Sequence, residues 1–290
     1  MSGTLYVVAT PIGNLADMTP RAMEVLAQAD LIAAEDTRVS KVLLSHFKIK
    51  TPSFSCHKFN EGKRGDFFVS ALLEGKSVAI ISDAGTPCIS DPGHRLVRLA
   101  ADRGIEVVAV CGANAAAAAL SVSGFDASRF IFVGFLPRTE SAGAKALEVL
   151  LTLSPVVFYE SPMRIKKTLK NITVNYPFAQ LCLCNDLTKK FERVYRGTAP
   201  EVLTALSDNP HAEKGEYTCV AYLDGETEPP TLCESAEPSL ESQLVDIMVS
   251  YGVSLKEASQ ILHGAGRKLP KKDIYAAALR LKELLKANYK

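Results

Sequence analysis

The sequence predicts an α/β protein with two α/β domains in tandem, residues 1–120 and 125–224, and a small helical domain at 240–290. Three observations carry this reading. Short apolar runs alternate with longer amphipathic segments, the pattern of βαβ units around a largely parallel sheet. A polar or glycine-containing cluster follows several of these runs, where open α/β sheets bind ligands. The alternation pauses at Gly124-Phe125-Asp126, restarts, and stops at an acidic stretch from Asp224 to Pro238.

Taken in order, Leu5–Ala9 reads as the first strand. Thr19-Pro20 then caps a helix in which Ala22, Val25, Leu26 and Ala29 recur at helical spacing. Leu31–Ala34, Val78–Ile81 and Val107–Val110 are the next strands of the first domain. In the second, Phe130–Phe135, Val156–Tyr159, Leu181–Cys184, Val194–Arg196 and Tyr217–Leu223 read as strands, with helices near 140–153, 162–174 and 199–207. Several of these strands are too close in sequence for long crossovers, which predicts a mixed sheet. Between Asp224 and Pro238 stand five acidic residues and three prolines with no Lys or Arg, so 225–239 reads as a linker. Beyond it Leu240, Leu244 and Ile247 share a face, Ser254-x-x-Glu257 is a capping box, Gly264-x-Gly266 breaks the chain, and a last helix runs from about Pro270 to Ala287. From 240 onward nine Lys or Arg face five Asp or Glu. That suits either contacts to phosphates or a solvated cap.

Composition narrows the function classes. A formal charge of +1 over 290 residues argues against wholesale coating of nucleic acid. The cysteines (56, 88, 111, 182, 184, 219, 233) are odd in number and without a C-x-x-C pair, so reduced thiols are expected. His46, His57, His94, His211 and His263 show no metal spacing. No apolar run approaches the roughly 20 residues of a membrane span, and the N-terminus lacks the pattern of a signal peptide. A cytoplasmic protein is expected.

The clusters that could carry chemistry sit after strands. Ser82-Asp83-Ala84-Gly85-Thr86-Pro87 has a glycine that lets a ligand approach the backbone, but no P-loop or G-x-G-x-x-G spacing, which disfavours nucleotide phosphates. Thr10-Pro11-Ile12-Gly13-Asn14-Leu15 faces the same crevice or is an ordinary loop. In Glu35-Asp36-Thr37-Arg38 one carboxylate can pair with Arg38 while the other acts as a base or binds a hydroxyl. Glu160-Ser161-Pro162 and Asn185-Asp186-Leu187-Thr188-Lys189-Lys190 hold the same position in the second domain. His57 reads as a surface residue.

Ala9–Leu15, Ala34–Arg38, Ser82–Pro87, Asp91-Pro92-Gly93, Gly134-Phe135-Leu136-Pro137, Tyr159–Pro162 and Leu187-Thr188-Lys189 come in one order and spacing. Together they strongly resemble the small-subunit ribosomal RNA (cytidine-2′-O)-methyltransferases of the tetrapyrrole-methylase-like superfamily, over residues 3–224, with a tail similar to the extra domain of many members. The resemblance implies the class III fold with its ligand cleft between the two α/β domains. It also implies S-adenosylmethionine as methyl donor, a homodimer, and 16S ribosomal RNA of the small subunit as partner. By the same analogy the cofactor touches Pro11, Asp83, Ala84, Gly85, Thr86, Pro87, Ile89, Asn114, Ala115, Glu160, Leu187 and Tyr217. Asp36 or Glu35 would take the proton of a ribose 2′-hydroxyl in the decoding region. Arg38, Arg164, Lys166, Lys167, Lys189 and Lys190, with Arg267, Lys268, Lys271 and Lys272 of the tail, would grip RNA. Where the family has Gly-Pro-Ser-Ala or Gly-Pro-Cys-Ala this chain reads Gly112-Ala113-Asn114-Ala115, a loosened loop by expectation. A tetrapyrrole methylase and a non-catalytic RNA-binding assembly factor are the rival readings.

Overall fold

A computed structural model describes residues 2–58, 60–139, 143, 146–147, 155–223, 240–264 and 271–287. It divides into two compact units, Met1–Thr227 and Glu228–Lys290. In the first unit β1 (Thr4–Val8), β2 (Leu31–Ala34), β3 (Ser53–Ser55), β4 (Val78–Ile81) and β5 (Glu106–Val110) form a sheet in the order β3-β2-β4-β1-β5. Every pairing in it is parallel. Helices α1 (Pro20–Gln28), α2 (Thr37–His46), α3 (Glu61–Leu73) and α4 (His94–Ala101) make the connections. All four residues of β4 are buried, as a central strand covered on both faces requires. Alternation sends Leu5, Val78 and Ile80 to a core with Phe68, Leu72 and Leu96. Val8, Ala79 and Ile81 go to the opposite core with Leu26 and Ile32.

Local chemistry sets the boundaries. The Thr19 hydroxyl oxygen accepts the Ala22 N–H at 3.1 Å, with Pro20 in the first turn of α1. The first strand closes one residue before the expected Leu5–Ala9, although the Ala9 N–H still donates to the Val110 carbonyl at 3.1 Å. β3 has no counterpart in the sequence reading. Its Ser-Phe-Ser carries one apolar side chain and no alternation, and it is a strand because the edge of β2 supplies partners for it.

The second sheet of this unit contains β6 (Ile131–Phe135), β7 (Val156–Glu160), β8 (Gln180–Asn185), β9 (Arg193–Thr198) and β10 (Tyr217–Tyr222), in the order β6-β7-β10-β8-β9. Only β6 and β7 run parallel; β10 is antiparallel to β7 and β8, and β9 to β8. The sheet is mixed, as the short connections predict. Helices α6 (Pro162–Asn175) and α7 (Ala199–Ser207) cover one face around Phe158, Ile165, Leu169 and Val202. The other face takes α5 (Ala115–Ser123), which follows β5 in the chain and packs Ala116, Ala119 and Leu120 on Val157, Cys182 and Val220. Cys182 and Cys184 are free thiols with sulfurs 3.9 Å apart. Most of the helix expected at 140–153, the linker at 225–239 and the tail residues Gly266, Arg267 and Lys268 lie outside the described residues.

The second unit holds α8 (Leu240–Tyr251), α9 (Leu255–Gly264) and α10 (Lys271–Ala287) around Leu244, Ala258, Leu262, Ile274, Ala277 and Leu281. The capping box forms: the Glu257 carboxylate accepts the Ser254 N–H at 2.8 Å and its hydroxyl at 2.6 Å. Among the described residues no helix is long and apolar enough to cross a membrane.

Candidate active site

From β1 the chain crosses to one side of the sheet and from β4 to the other, so the carboxyl ends of these adjacent strands mark a topological switch point. The two loops that leave them are clasped. The Thr10 N–H donates to the Gly85 carbonyl at 2.9 Å and the Gly85 N–H returns to Thr10 at 3.0 Å. Gly85 has φ +78°, and a Cβ on it would meet Ile12 Cγ2 at 3.3 Å. Position 85 therefore requires glycine for both conformation and space. The Thr86 hydroxyl donates to the Ala113 carbonyl at 3.1 Å and ties in the loop after β5. There Asn114 Oδ1 accepts the Ala117 N–H at 3.0 Å, capping α5. The Gly112–Ala115 loop is thus held by a cap and a cross-link where the family pattern has proline.

At this junction of the two sheets lies a cavity of about 340 Å³. Two loops close it, each raising one apolar side chain between two residues in the left-handed region. Ile89 stands between Cys88 (φ 68°) and Ser90 (φ 70°), and Leu187 between Asp186 (φ 52°) and Thr188 (φ 67°). Such backbone costs on the order of 1 kcal/mol or more per residue and persists where surrounding contacts enforce it. For the second loop those contacts are visible. Lys189 Nζ sits 2.9 Å from Asp186 Oδ1 and 2.8 Å from Glu216 Oε2, and the Asp186 N–H donates to the Glu216 carbonyl at 2.9 Å. A Cβ at Gly13 would fall 2.4 Å from Lys189 Cγ, so the bare glycine lets this lysine cross the loop after β1.

Asp91, Glu160 and Glu216 are among the residues that line the cavity, and no Lys or Arg is among the described lining residues. The Glu160 side chain is itself fully buried and Glu216 is paired with Lys189, which leaves Asp91 as the lining's acidic group without an ion pair. Glu160 is buried at the end of β7, where it accepts the Ser161 N–H and the Thr168 hydroxyl, each at 2.8 Å, and lies 3.3 Å from Arg164 Nη2. Burial first, then the nearby charge of Glu35, pushes the Asp91 carboxyl up to about 6 against the opposing hydrogen bond from Ser82. Burial also raises the Tyr159 hydroxyl. The Tyr217 hydroxyl is turned inward to the Ala212 carbonyl at 2.8 Å.

A more open groove of about 720 Å³ shares Ile12, Ala84 and Glu216 with the cavity. Its wall adds Asp36, Arg38, Val39, Val42 and Lys189. Arg38 Nη2 lies 2.6 Å from Asp36 Oδ2, and hydrogen bonds from that side chain and from its backbone hold the Asp36 carboxyl down at about 2. Burial and the charges of Asp83 and Asp36 push Glu35 the other way.

Of the residues expected at the cofactor, Ala84, Gly85, Thr86, Ile89, Asn114, Ala115, Glu160, Leu187 and Tyr217 line the cavity. Pro11 and Asp83 line the groove instead, Ala84 lines both hollows, and Pro87 lines neither. Two expected RNA contacts have other work. Arg164 is engaged by Glu160 and by the carbonyls of Leu136 and Pro137 at 3.2 and 2.8 Å, and Lys189 by its two carboxylates. Arg38 is well exposed, Lys190 Nζ lies 5.5 Å over the Phe191 ring, and Lys271 and Lys272 open α10 in the second unit. Sequence reasoning missed Asp91, Tyr159 and Glu216. The first two stand inside motifs that were recognised, whereas Glu216 carries no local signal.

A parallel and a mixed sheet meeting over a cavity at a switch point define an α/β methylase of the tetrapyrrole type. The model of the Tetrapyrrole (Corrin/Porphyrin) Methylases matches residues 4–203. In fold the chain is similar to a cobalt precorrin-4 methyltransferase of cobalamin biosynthesis (TM-score 0.56, 17% identity, 75% of this chain and 94% of that one). It is also similar to diphthine synthase (TM-score 0.59, 13% identity, 76% and 90%). Two proteins named Ribosomal RNA small subunit methyltransferase I are much nearer in sequence. That of Halalkalibacterium halodurans is 42% identical over 94% of this chain and 93% of its own length. That of Synechocystis sp. is 40% identical over 96% and 98%. The chain belongs to this methyltransferase family within the tetrapyrrole methylases, and it is an enzyme of that class.

Proposed function

We propose that the protein transfers a methyl group from S-adenosylmethionine to the ribose 2′-hydroxyl of a cytidine in the decoding region of 16S ribosomal RNA, working in the cytoplasm as a homodimer. The observation that carries the reading is the lining of the cavity: the carboxyl of Asp91, apolar walls at Ile89 and Leu187, and no Lys or Arg among the described lining residues. That wall suits a cationic ligand with an aromatic ring and repels a nucleotide phosphate. S-adenosylmethionine, when bound, supplies a methyl group made electrophilic by its sulfonium. Asp91 balances the positive charge, and the left-handed loops fix Ile89 and Leu187 before any ligand arrives. The relatives named for ribosomal RNA small subunits support RNA as acceptor, and the groove beside the cavity, with exposed Arg38, gives it a path. Residues 1–120 and 125–224 then act as two domains that share the donor.

Acceleration comes mainly from holding the hydroxyl in line with the methyl group, since effective molarities on the order of 10⁵ M or more are available from positioning. Of the two carboxylates expected to take the proton, Asp36 is a poor acceptor because Arg38 holds it near about 2. Glu35, pushed up by burial, is the better acceptor by its protonation, although it is Asp36 and not Glu35 that lines the groove. We assign the proton to Glu35 and give Asp36 the task of orienting Arg38.

The deciding experiment incubates the full chain and labelled donor with small subunits lacking the modification, and maps 2′-O-methyl marks along the RNA. A new mark on one cytidine is the expected result. Label appearing on a uroporphyrinogen-type substrate instead favours a tetrapyrrole methylase. Donor binding with no transfer to either favours an assembly factor.

A further inference from the structure

Phe135 lines the cavity and is nevertheless 60% exposed. Simple alternation along β6 would not put it there. Val133 packs on the core of Phe158 and Ile165, and a strict period of two would send residue 135 to that same face. The register breaks instead. Phe132 pairs with Val157 and Phe135 with Tyr159, so three steps along β6 match two along β7. This is a β-bulge, and its extra residue turns Phe135 to the side of Phe132 and Tyr159, the side packed against α5. Gly134 takes the left-handed conformation within the bulge, φ +63°, and a Cβ on it would fall 2.9 Å from the Ser90 hydroxyl oxygen beside Ile89. The bulge therefore both re-aims the ring and seats it against the loop that closes the cavity. We propose that the Phe135 ring is the platform on which the acceptor's nucleobase stacks, so that the attached ribose lies at the cavity mouth.

The ring is held in place without being covered. Tyr159 meets it edge-on, with centroids 5.7 Å apart and planes at 67°, and Phe132 meets Tyr159 in turn at 5.0 Å and 66°. Such edge-to-face contacts fix a ring's orientation, and the measured exposure leaves most of its surface to a ligand. Stacking on an aromatic side chain is how proteins hold unpaired bases, because every base has a π face. Position distinguishes Phe135 from other exposed rings. Phe178 and Phe191 are exposed to 64% and 73%, yet neither lines the cavity or the groove. Depth distinguishes the acceptor from the donor. Leu187 is buried and Ile89 aliphatic, walls suited to an enclosed adenine, whereas a ring open at the rim can be reached by a base still attached to a long strand. That the acceptor is a nucleoside of RNA rests on the function proposed above.

The test uses the full chain and three readouts. These are kcat/KM on small subunits lacking the modification, quenching of a single-stranded cytidine oligonucleotide that carries one pyrrolocytosine, and S-adenosylhomocysteine affinity by calorimetry. Phe135→Leu keeps an apolar side chain and removes the π face; Phe135→Trp keeps the face; Phe178→Leu is the control at an equally exposed ring. In Phe135→Leu both kcat/KM and oligonucleotide affinity should fall roughly tenfold and the quenching should vanish, while Phe135→Trp stays within about threefold of wild type. Phe178→Leu should match wild type, and all variants should bind S-adenosylhomocysteine within about twofold. Unchanged kinetics and quenching in Phe135→Leu, or an equal loss in Phe178→Leu, would overturn the platform. A parallel loss of S-adenosylhomocysteine affinity would overturn it by giving the ring to the donor's adenine. A Phe135→Leu chain that sediments at half the wild-type mass would overturn it by giving the ring to a subunit contact. Quenching by a wild-type chain that transfers no methyl group would leave the platform standing and sink the proposed reaction alone.

Discussion

The cavity and the groove beside it share Ile12, Ala84 and Glu216, and the rest of their walls differ in charge. The cavity is lined by Asp91, Glu160 and Glu216 and by no Lys or Arg among the described residues; the groove adds Arg38 and Lys189, each paired with a carboxylate. The contrast teaches that neighbouring hollows can present different ligand chemistries while sharing one strip of wall. In the proposed reaction the first wall faces a sulfonium and the second a phosphodiester.

The largest effect expected at the cavity end of β7 is removal of Arg164, the counter-charge of buried Glu160. Arg164→Ala leaves Glu160 buried without its counter-charge, and such losses run to roughly 3–5 kcal/mol. Denaturant unfolding should show that loss, and a change below about 1 kcal/mol would mean that Ser161 and Thr168 satisfy Glu160 by themselves. Next comes the clasp. Gly85→Val forces a branched side chain into φ +78° against Ile12, and donor affinity measured by calorimetry should fall by about 100-fold or more.

A smaller effect concerns Asp91. Its carboxyl is neutral below about 6 and charged above, so affinity for a cationic donor should rise as pH goes from 5 to 7. Asp91→Asn should flatten that rise and cost about tenfold at pH 7, or about 1.4 kcal/mol. S-adenosylhomocysteine, which lacks the sulfonium charge, should show little of either trend. A pH-independent affinity in the wild type would remove Asp91 from the charge balance. Smallest is Asp36→Ala. It deletes the cap of α2 and the Arg38 pair, and denaturant unfolding should show a small loss of stability. Turnover should stay within a few-fold, in contrast to the roughly 10²-fold or greater fall expected for Glu35→Gln.

The parallel sheet was legible because each strand is an apolar run closed by a recognisable cluster, and Ser82–Pro87 and Glu160–Pro162 are where the sequence puts them. β3 was not, because three residues with one Phe become a strand only beside β2. The cavity wall was readable where motif and wall coincide, as at Ile89, Asn114 and Leu187. It was unreadable at Glu216, which reaches the wall only because β10 inserts between β7 and β8. The pairs Glu160–Arg164 and Asp186–Lys189 stand four and three residues apart, spacings the sequence itself displays, whereas Glu216 reaches Lys189 only through tertiary packing. Pro11 and Asp83 show the limit of reading a turn as a unit, because neighbours in such a turn face different hollows.

Ile12, Ala84 and Glu216 are a party wall between the cavity and the groove. Under the proposed assignment an RNA strand laid in the groove crosses the rim of the chamber that holds the donor, so traffic through the enzyme has a compulsory order. The donor enters before RNA, and the spent donor leaves after the modified strand. Steady-state inhibition reads this directly: S-adenosylhomocysteine should compete with the donor and not with RNA, and saturating RNA should slow its escape.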